Sequence, residues 1–414
     1  MCSKINFNQT ILVVTVGITA GVLVALYVGV GSWRIGVKDV DANVALCHKN
    51  NNSEATRINC WMELIENTFM QDGTAAAFSL FSKVYADYDD FANTGCHRHA
   101  HRVGDLAYYY DYLTHGDYRK IDFPNSANAC GYGFYHGLFE HIVQGKPETT
   151  FIEEMCESLE TLILEDAPAI RQTCYHGAGH GLVLSQADIY TSSKDWTVDN
   201  FVHEPLIICS SLRTASDLEK EECHMGVYNV LVDWMADKEY NLTYNLETPF
   251  WFCEDLTDSS WQRACYNEVA QKLDMVSKRD LKTLKEIADS IKVTELKEYI
   301  VGVALPGFIQ HAPTSNKEEF YLECIDVFDD YSSVCPKSIA AGMVEHGPPG
   351  EEYKFANQFC DSKVITEEHK PICYEQLMAK ILRFNSPEKA KALCLSGTLS
   401  QNSCEYLSQF AGTD

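Results

Sequence analysis

Apolar residues recur at three- and four-residue spacing along most of the chain, which is the pattern of amphipathic helices. Segments 61–65, 227–234 and 377–382 show it most clearly. Segments 150–164 and 282–292 are predicted to form the helices that precede such apolar segments, and 282–292 is rich in residues with high helix propensity. The alternating pattern of strands is scarce. We therefore predict an all-α protein.

The helical segments belong to an internal repeat. Cys130-Gly-Tyr-Gly-Phe-Tyr-His-Gly and Cys174-Tyr-His-Gly-Ala-Gly-His-Gly share a glycine three residues after the cysteine and His-Gly at the sixth and seventh positions. Weaker copies begin at Cys223, Ile300 and Cys335. Ten such starts lie about 38 residues apart on average, which is the length of a helical hairpin. The repeat predicts an array of about ten α/α hairpins, curved into a superhelix or a partly closed toroid.

The repeated glycines form a stripe of small residues on the first turns of each second helix. Glycine costs a helix about 1 kcal/mol relative to alanine, so something must offset that cost. Two explanations stay open. Either the backbone of a neighbouring helix approaches closely, or the stripe leaves room for a ligand.

The cysteines predict disulfides within the repeats. Sixteen of the seventeen follow residue 33, and most form near pairs. The predicted bonds are Cys47–Cys60, Cys156–Cys174, Cys209–Cys223, Cys253–Cys265, Cys324–Cys335, Cys360–Cys373 and Cys394–Cys404, with Cys96 and Cys130 left to pair with each other. The repeat at Ile300 lacks both cysteines, as a bond within each repeat would require. No CxxC spacing supports zinc or haem sites as the alternative.

The N-terminal region predicts a membrane anchor. Ile11–Trp33 is a run of 23 residues without a charge, long enough to cross a bilayer as a helix. A cleaved signal peptide is the alternative, although the run is long for one and lacks a convincing cleavage site. Eight disulfides require an oxidising compartment. We therefore predict a single-pass membrane protein with a cytosolic tail (1–10), an anchor (11–33), a linker (34–46) and an extracytoplasmic helical domain (47–414).

Charge and motifs exclude several functions. Lysine and arginine number 33 against 59 acidic residues, giving a net charge of −26. A nucleic-acid-binding protein would need a basic face, so we predict no nucleic-acid partner. The sequence contains no GxGxxG, Walker A or GxSxG pattern to indicate nucleotide binding or acyl transfer.

Histidines cluster at the starts of three consecutive second helices. His176 and His180 are four residues apart and share a helix face, as His97 and His101 do if that stretch is helical, while His99 would then point elsewhere. Because equivalent positions of stacked repeats project onto one concave surface, these side chains should converge. The predicted metal ligands are His97, His101, His136, His176 and His180. Imidazole and carboxylate donors suit divalent zinc, iron, manganese or copper. A metal with an open position can activate water for hydrolysis, and Glu140 is the predicted catalytic base.

A different class of function stays open. Histidines at glycine-rich helix starts can simply hydrogen-bond between stacked turns, and this structural role is the favoured one for His141, His311 and His346. The chain would then be a non-catalytic acidic interaction scaffold or receptor, with a protein or glycan ligand on its concave face. Carbohydrate processing is a third possibility.

Overall fold

The computed structural model describes residues 40–50, 53–92, 95–123, 127–162, 169–190, 197–237, 242–243, 245, 247–291, 293–311 and 316–410. The predicted tail (1–10) and anchor (11–33) lie outside the described residues. Within the described ranges, no helix is both long enough and apolar enough to cross a membrane. The first described helix covers the end of the predicted 34–46 linker.

The all-α prediction is confirmed: the described residues contain α-helices and short 3-10 and π segments, and no strand. The α-helices, in chain order, are α1 Val40–Asn50, α2 Glu54–Asp72, α3 Thr74–Asp87, α4 Asp89–Ala92, α5 Cys96–Leu106, α6 Leu113–His115, α7 Gly133–Gly145, α8 Thr149–Leu162, α9 Ile170–Tyr190, α10 Val198–Ser211, α11 Asp217–Asp237, α12 Trp251–Glu254, α13 Ser259–Gln271, α14 Leu273–Val276, α15 Leu281–Ser290, α16 Thr294–His311, α17 Lys317–Val327, α18 Val334–Glu345, α19 Glu352–Cys360, α20 Lys370–Phe384, α21 Pro387–Leu395 and α22 Gln401–Phe410.

Several helices begin at side-chain caps that the sequence encodes. The carboxylate of Asp258 accepts hydrogen bonds from the amides of Ser260 and Trp261 at the start of α13. Asp280 accepts one from Thr283 at the start of α15 in the same way. Such caps satisfy amides that lack a partner in the first helical turn, typically for about 1 kcal/mol each. These two caps therefore fix the residues at which α13 and α15 begin.

The second helices of the hairpins pack side by side in chain order. Helix α5 contacts α7, α7 contacts α9, and the series continues through α11, α13, α16, α18, α20 and α22. The shorter first helices, such as α8, α10, α17 and α19, each pack on the second helix of their own hairpin. Large side chains contribute to the core of the helical array. Tyr175, Tyr228 and Tyr321 are among those that are fully buried.

All eight predicted disulfides are confirmed. Seven close one hairpin each, and the eighth, Cys96–Cys130, joins the start of α5 to the turn before α7. The α15–α16 hairpin, which contains Ile300, has no cysteine. There the Lys297 ammonium donates a hydrogen bond to the Asp289 carbonyl at 3.0 Å.

The glycine stripe is explained by close backbone approach, as one of the two interpretations predicted. A Cβ atom at Gly226 of α11 would overlap the carbonyl oxygen of His176 of α9. A Cβ at Gly181 of α9 would overlap the Glu140 carbonyl of α7 and lie 2.8 Å from the Gln144 nitrogen. The helices touch through their backbones at these points, so glycine is required.

Contacts between early and late helices border an open cavity of about 1570 Å³. The Tyr132 hydroxyl, just before α7, donates to the Arg383 carbonyl in α20 at 2.6 Å, and the Tyr132 ring stacks on Phe384. The Tyr85 hydroxyl of α3 donates to the His346 carbonyl at 2.6 Å. The second helices α5 to α20 line this cavity with residues at helical spacing.

Candidate metal centre

Helices α5, α7 and α9 place every predicted site residue on the wall of the cavity. His97 and His101 lie on α5, two more predicted residues on α7 and the last two on α9. Ring centroids of His136 and His180 are 5.6 Å apart, and those of His176 and His180 are 5.0 Å apart. The predicted convergence of equivalent repeat positions is therefore seen in the structure.

The turn before α7 is conformationally constrained. Cys130, Gly131 and Tyr132 are consecutive residues with φ of 57°, 61° and 63°. Left-handed backbone is unfavourable for residues with a Cβ, and it persists where surrounding contacts enforce it. Here the disulfide to Cys96 and the hydrogen bond from the Tyr132 hydroxyl hold the turn. It directs the Cys130 carbonyl at Nδ1 of His97, 3.0 Å away.

Glu140 lies between two imidazoles. Its Oε2 atom is 3.1 Å from Nε2 of His101 and 3.0 Å from Nδ1 of His180. Ligand atoms of these three residues all lie within 4.8 Å of one another, so the set can hold a metal ion. They come from three different helices, α5, α7 and α9, and the close backbone packing of those helices makes the approach possible.

His101 is also flanked by a second carboxylate, that of Asp105 one helical turn further along α5. Its Nδ1 is 3.4 Å from Oδ1 of Asp105. Burial lowers the pKa of the imidazole, but the two carboxylates outweigh burial and raise the pKa of His101 to about 10. Burial opposes ionisation of Glu140, yet His101 and His180 bring its pKa well below the ordinary range. Without a metal, His101 therefore carries a proton at neutral pH.

The remaining three histidines surround this set. His97 donates through Nδ1 to the Cys130 carbonyl, which leaves its Nε2 to accept from Nδ1 of His136 at 3.2 Å. Burial lowers the pKa of His97 to about 3 and that of His136 well below its usual value, so both imidazoles are neutral. The ring of His136 stacks on His176, whose Nδ1 is 3.4 Å from Glu222. Because the neutral imidazole of His136 donates through Nδ1, its Nε2 atom keeps a lone pair.

His180 has a nitrogen that the described part of the chain does not satisfy. Its Nδ1 contacts Glu140, while Nε2 is enclosed and has no hydrogen-bond partner among the described residues. The side chain is 5% exposed. Buried polar atoms are nearly always paired, so such an atom suggests a bound ion or water. Burial also lowers the pKa of this imidazole, so it is neutral, and a metal bound at Nδ1 would leave its proton on Nε2.

His99 and His346 are not part of the cluster, whereas His141 borders it. His99 stacks on Phe91 with centroids 4.3 Å apart, which confirms that it points away from His97 and His101. His141 contacts Asp105 at 3.4 Å, and its structural role stays a prediction. The side chain of His311 lies outside the described residues. For His346, the structure shows its carbonyl accepting from Tyr85.

Two acidic partners were not predicted from the sequence. Asp105 lies four residues after His101, so the same spacing that grouped His97 with His101 would have found it. Glu222 of α11 contacts His176 and also the guanidinium of Arg383 in α20, at 3.4 Å. That contact joins distant parts of the chain, and no local sequence pattern indicates it.

Comparison with protein-family models gives no match for this chain. Searches against curated proteins and against solved structures also give none. The function therefore has to be argued from the centre itself.

Proposed function

We propose that the chain binds a divalent transition metal in its cavity, through His101, Glu140 and His180. The observation that carries this proposal is the position of Glu140 Oε2, about 3 Å from a nitrogen of each imidazole. Metal–ligand bonds of about 2.0–2.2 Å place neighbouring ligands of a tetrahedral ion roughly 3.3 Å apart. Glu140 Oε2 already has nearly this spacing to both imidazoles, and ligand atoms of all three residues lie within 4.8 Å of one another.

Binding would replace a proton with the ion. His101 is protonated in the metal-free protein, so a metal at its Nε2 must displace that proton. The positive charge of the metal would then compensate the negative charge of Glu140. Neutral imidazoles and a carboxylate suit zinc, iron, manganese and copper, and their geometry does not select among these. His97, His136 and His176 then act as the polar wall around the ion, with Nε2 of His136 as a further donor.

Hydrolysis is the reaction that this proposal favours. A metal ion facing a large cavity can lower the pKa of a bound water and supply a nucleophile at neutral pH. Glu140 is better suited to hold the ion than to act as the predicted base, because its lowered pKa makes it a weak proton acceptor. Another side chain lining the cavity would then act as the base, or the metal-bound hydroxide would attack the substrate without one.

The domain would function outside the cytosol. Eight disulfides are stable where thiols are oxidised, which supports an extracytoplasmic location. We propose that residues 11–33 anchor the chain in the membrane and that the stacked hairpins form a partly closed ring. The contacts from Tyr132 to Arg383 and from Tyr85 to His346 support that shape.

Metal analysis of the purified full-length chain, without a histidine tag, tests the proposal. After dialysis against a chelator and reloading with zinc, we expect at least one ion per chain by mass spectrometry. The double variant His101→Ala, His180→Ala should bind one ion fewer than the wild type. His203→Ala, an exposed histidine of α10 outside the cavity, is the matched control and should bind as the wild type does.

A metal-free wild-type protein with normal helix content would refute the proposal. The histidines would then be structural, and the acidic interaction scaffold would be the better hypothesis. The hydrogen bond from His97 to the Cys130 carbonyl is the observation that favours this alternative, because it uses an imidazole to hold a turn.

A further inference from the structure

We propose that the centre holds two ions, with Glu140 as the ligand they share and with Asp105 and His141 completing the second position. This inference rests on the proposed function. Ligand atoms of Asp105, Glu140 and His141 all lie within 4.8 Å of one another, as those of the first set do. Glu140 belongs to both sets.

The two oxygens of Glu140 face different partners. Oε2 contacts His101 and His180, whereas Oε1 is 3.8 Å from Nε2 of His141. The same nitrogen of His141 is 3.4 Å from Oδ1 of Asp105. These separations are close to the roughly 3.3 Å expected between ligands of one ion. A carboxylate that directs one oxygen into each of two ligand sets is suited to bridging two metal ions.

The Oδ1 atom of Asp105 has unusual surroundings. It is enclosed by protein and makes no hydrogen bond of normal geometry to any described residue, although two imidazole nitrogens lie 3.4 Å away. Gly137 permits the close approach, because a Cβ there would lie 2.9 Å from this oxygen. An enclosed carboxylate oxygen that faces two imidazole nitrogens at about the spacing of ligands on one ion is well placed to ligate a cation.

The second position lies on the side of Glu140 away from the cavity. Asp105 and His141 do not line the cavity, whereas His101, Glu140 and His180 do. The rings of Tyr108 and Tyr109 cover His141, with centroids 5.0 and 5.3 Å from it. Both tyrosines belong to a π-helical segment, Ala107–Tyr112, of the kind that often occurs at functional sites.

The two positions would therefore differ in role. The ion among His101, Glu140 and His180 faces the cavity and has room for water or substrate. The ion among Asp105, Glu140 and His141 is covered by aromatic rings and would bind no substrate. It would instead draw electron density from Glu140 and keep that carboxylate oriented for the exposed ion.

Stoichiometry with cobalt(II) as the probe separates this inference from the one it rests on. We expect the wild-type chain to take two equivalents, and the electron paramagnetic resonance signal to fall when the second is added, because two ions bridged by one carboxylate couple magnetically. His141→Ala and Asp105→Asn should each take one equivalent and give the uncoupled signal. His115→Ala, an exposed histidine next to the same π-helical segment, is the control and should retain two.

A wild-type chain that takes one equivalent, unchanged in His141→Ala and Asp105→Asn, would overturn the second position and leave the first intact. A chain that takes no cobalt would overturn both proposals. Asp105→Asn keeps the size of the side chain, so it tests the ligand even where His141→Ala disturbs the packing against Tyr108.

Discussion

Helices α9 and α11 and helices α16 and α18 are built on the same repeat but pack differently. In the first pair, glycines let backbones meet, and a Cβ at Gly226 would overlap the neighbouring carbonyl. In the second pair the approach is looser: a Cβ at Gly342 would lie 2.9 Å from the Cα atom of Pro306, and one at Gly302 would lie 3.3 Å from a Val334 methyl group, which can move. Packing is therefore tightest next to the histidines.

The α7–α9 and α16–α18 regions also differ in chemistry. The position six residues after the repeat cysteine is His136 in α7 and His180 in α9, but Pro306 and Ala341 in α16 and α18. All four line one cavity. The repeat thus supplies equivalent positions around the cavity, and three adjacent helices have acquired the imidazoles. Shared architecture does not imply shared chemistry.

The largest expected effect tests the packing difference. Gly226→Ala should lower the free energy of unfolding by about 3 kcal/mol or more, because α9 and α11 must separate to admit the methyl group. Gly302→Ala should change it by no more than about 1 kcal/mol in either direction, since alanine favours the helix and the neighbouring methyl can yield. Urea denaturation of both variants measures this, and equal losses would contradict the distinction between the two regions.

The disulfides give the next prediction. Removing the bond between Cys156 and Cys174 by a double alanine substitution should cost about 3 kcal/mol, the value expected for a loop of this length. Amide hydrogen exchange in α8 and α9 should then accelerate about a hundredfold, since 1.4 kcal/mol corresponds to a factor of ten.

The α15–α16 hairpin is the internal reference for that experiment. It has no disulfide, so its exchange in the wild type should already be faster than in α8 and α9, and the substitution should leave it unchanged. Slower exchange in α15–α16 than in α8–α9 of the wild type would show that the bonds contribute little to local stability.

The smallest expected effect concerns pH. Because the pKa of His101 is raised to about 10, its proton stabilises the metal-free folded state below about pH 6.5, and this stabilisation is lost as the pH rises through 10. Relative to His101→Gln, the metal-free wild type should lose about 2 kcal/mol between pH 6.5 and 10, the scale of a hydrogen bond to a charged group. Thermal unfolding across that range measures it, and parallel curves would show that His101 is neutral.

The sequence predicted the features that depend on local spacing. Pairing of near cysteines, the helical periodicity and the separation of His99 from His97 and His101 all follow from residues within one hairpin. The Cys96–Cys130 bond was predicted by elimination, since every other cysteine had a near partner. Convergence of His136 with His180 followed from the repeat, because equivalent positions of stacked units face the same side.

The rest depends on contacts between distant segments. The hydrogen bond from Tyr132 to Arg383 and the ion pair of Arg383 with Glu222 join residues that are far apart in the sequence. Periodicity describes each helix by itself and carries no information about where a late helix meets an early one. The left-handed turn at Cys130 and Tyr132 was also not predicted, because tertiary contacts overrule the preference of these residues there.

The bond between Cys96 and Cys130 ties the starts of the two helices that bring His101 and Glu140 together. Assembly of the centre would thus be ordered in time. A newly made chain whose thiols are still reduced would lack this tie and hold the two helices less firmly. If the centre binds a metal as we propose, tight metal binding would therefore follow oxidation of this pair of thiols.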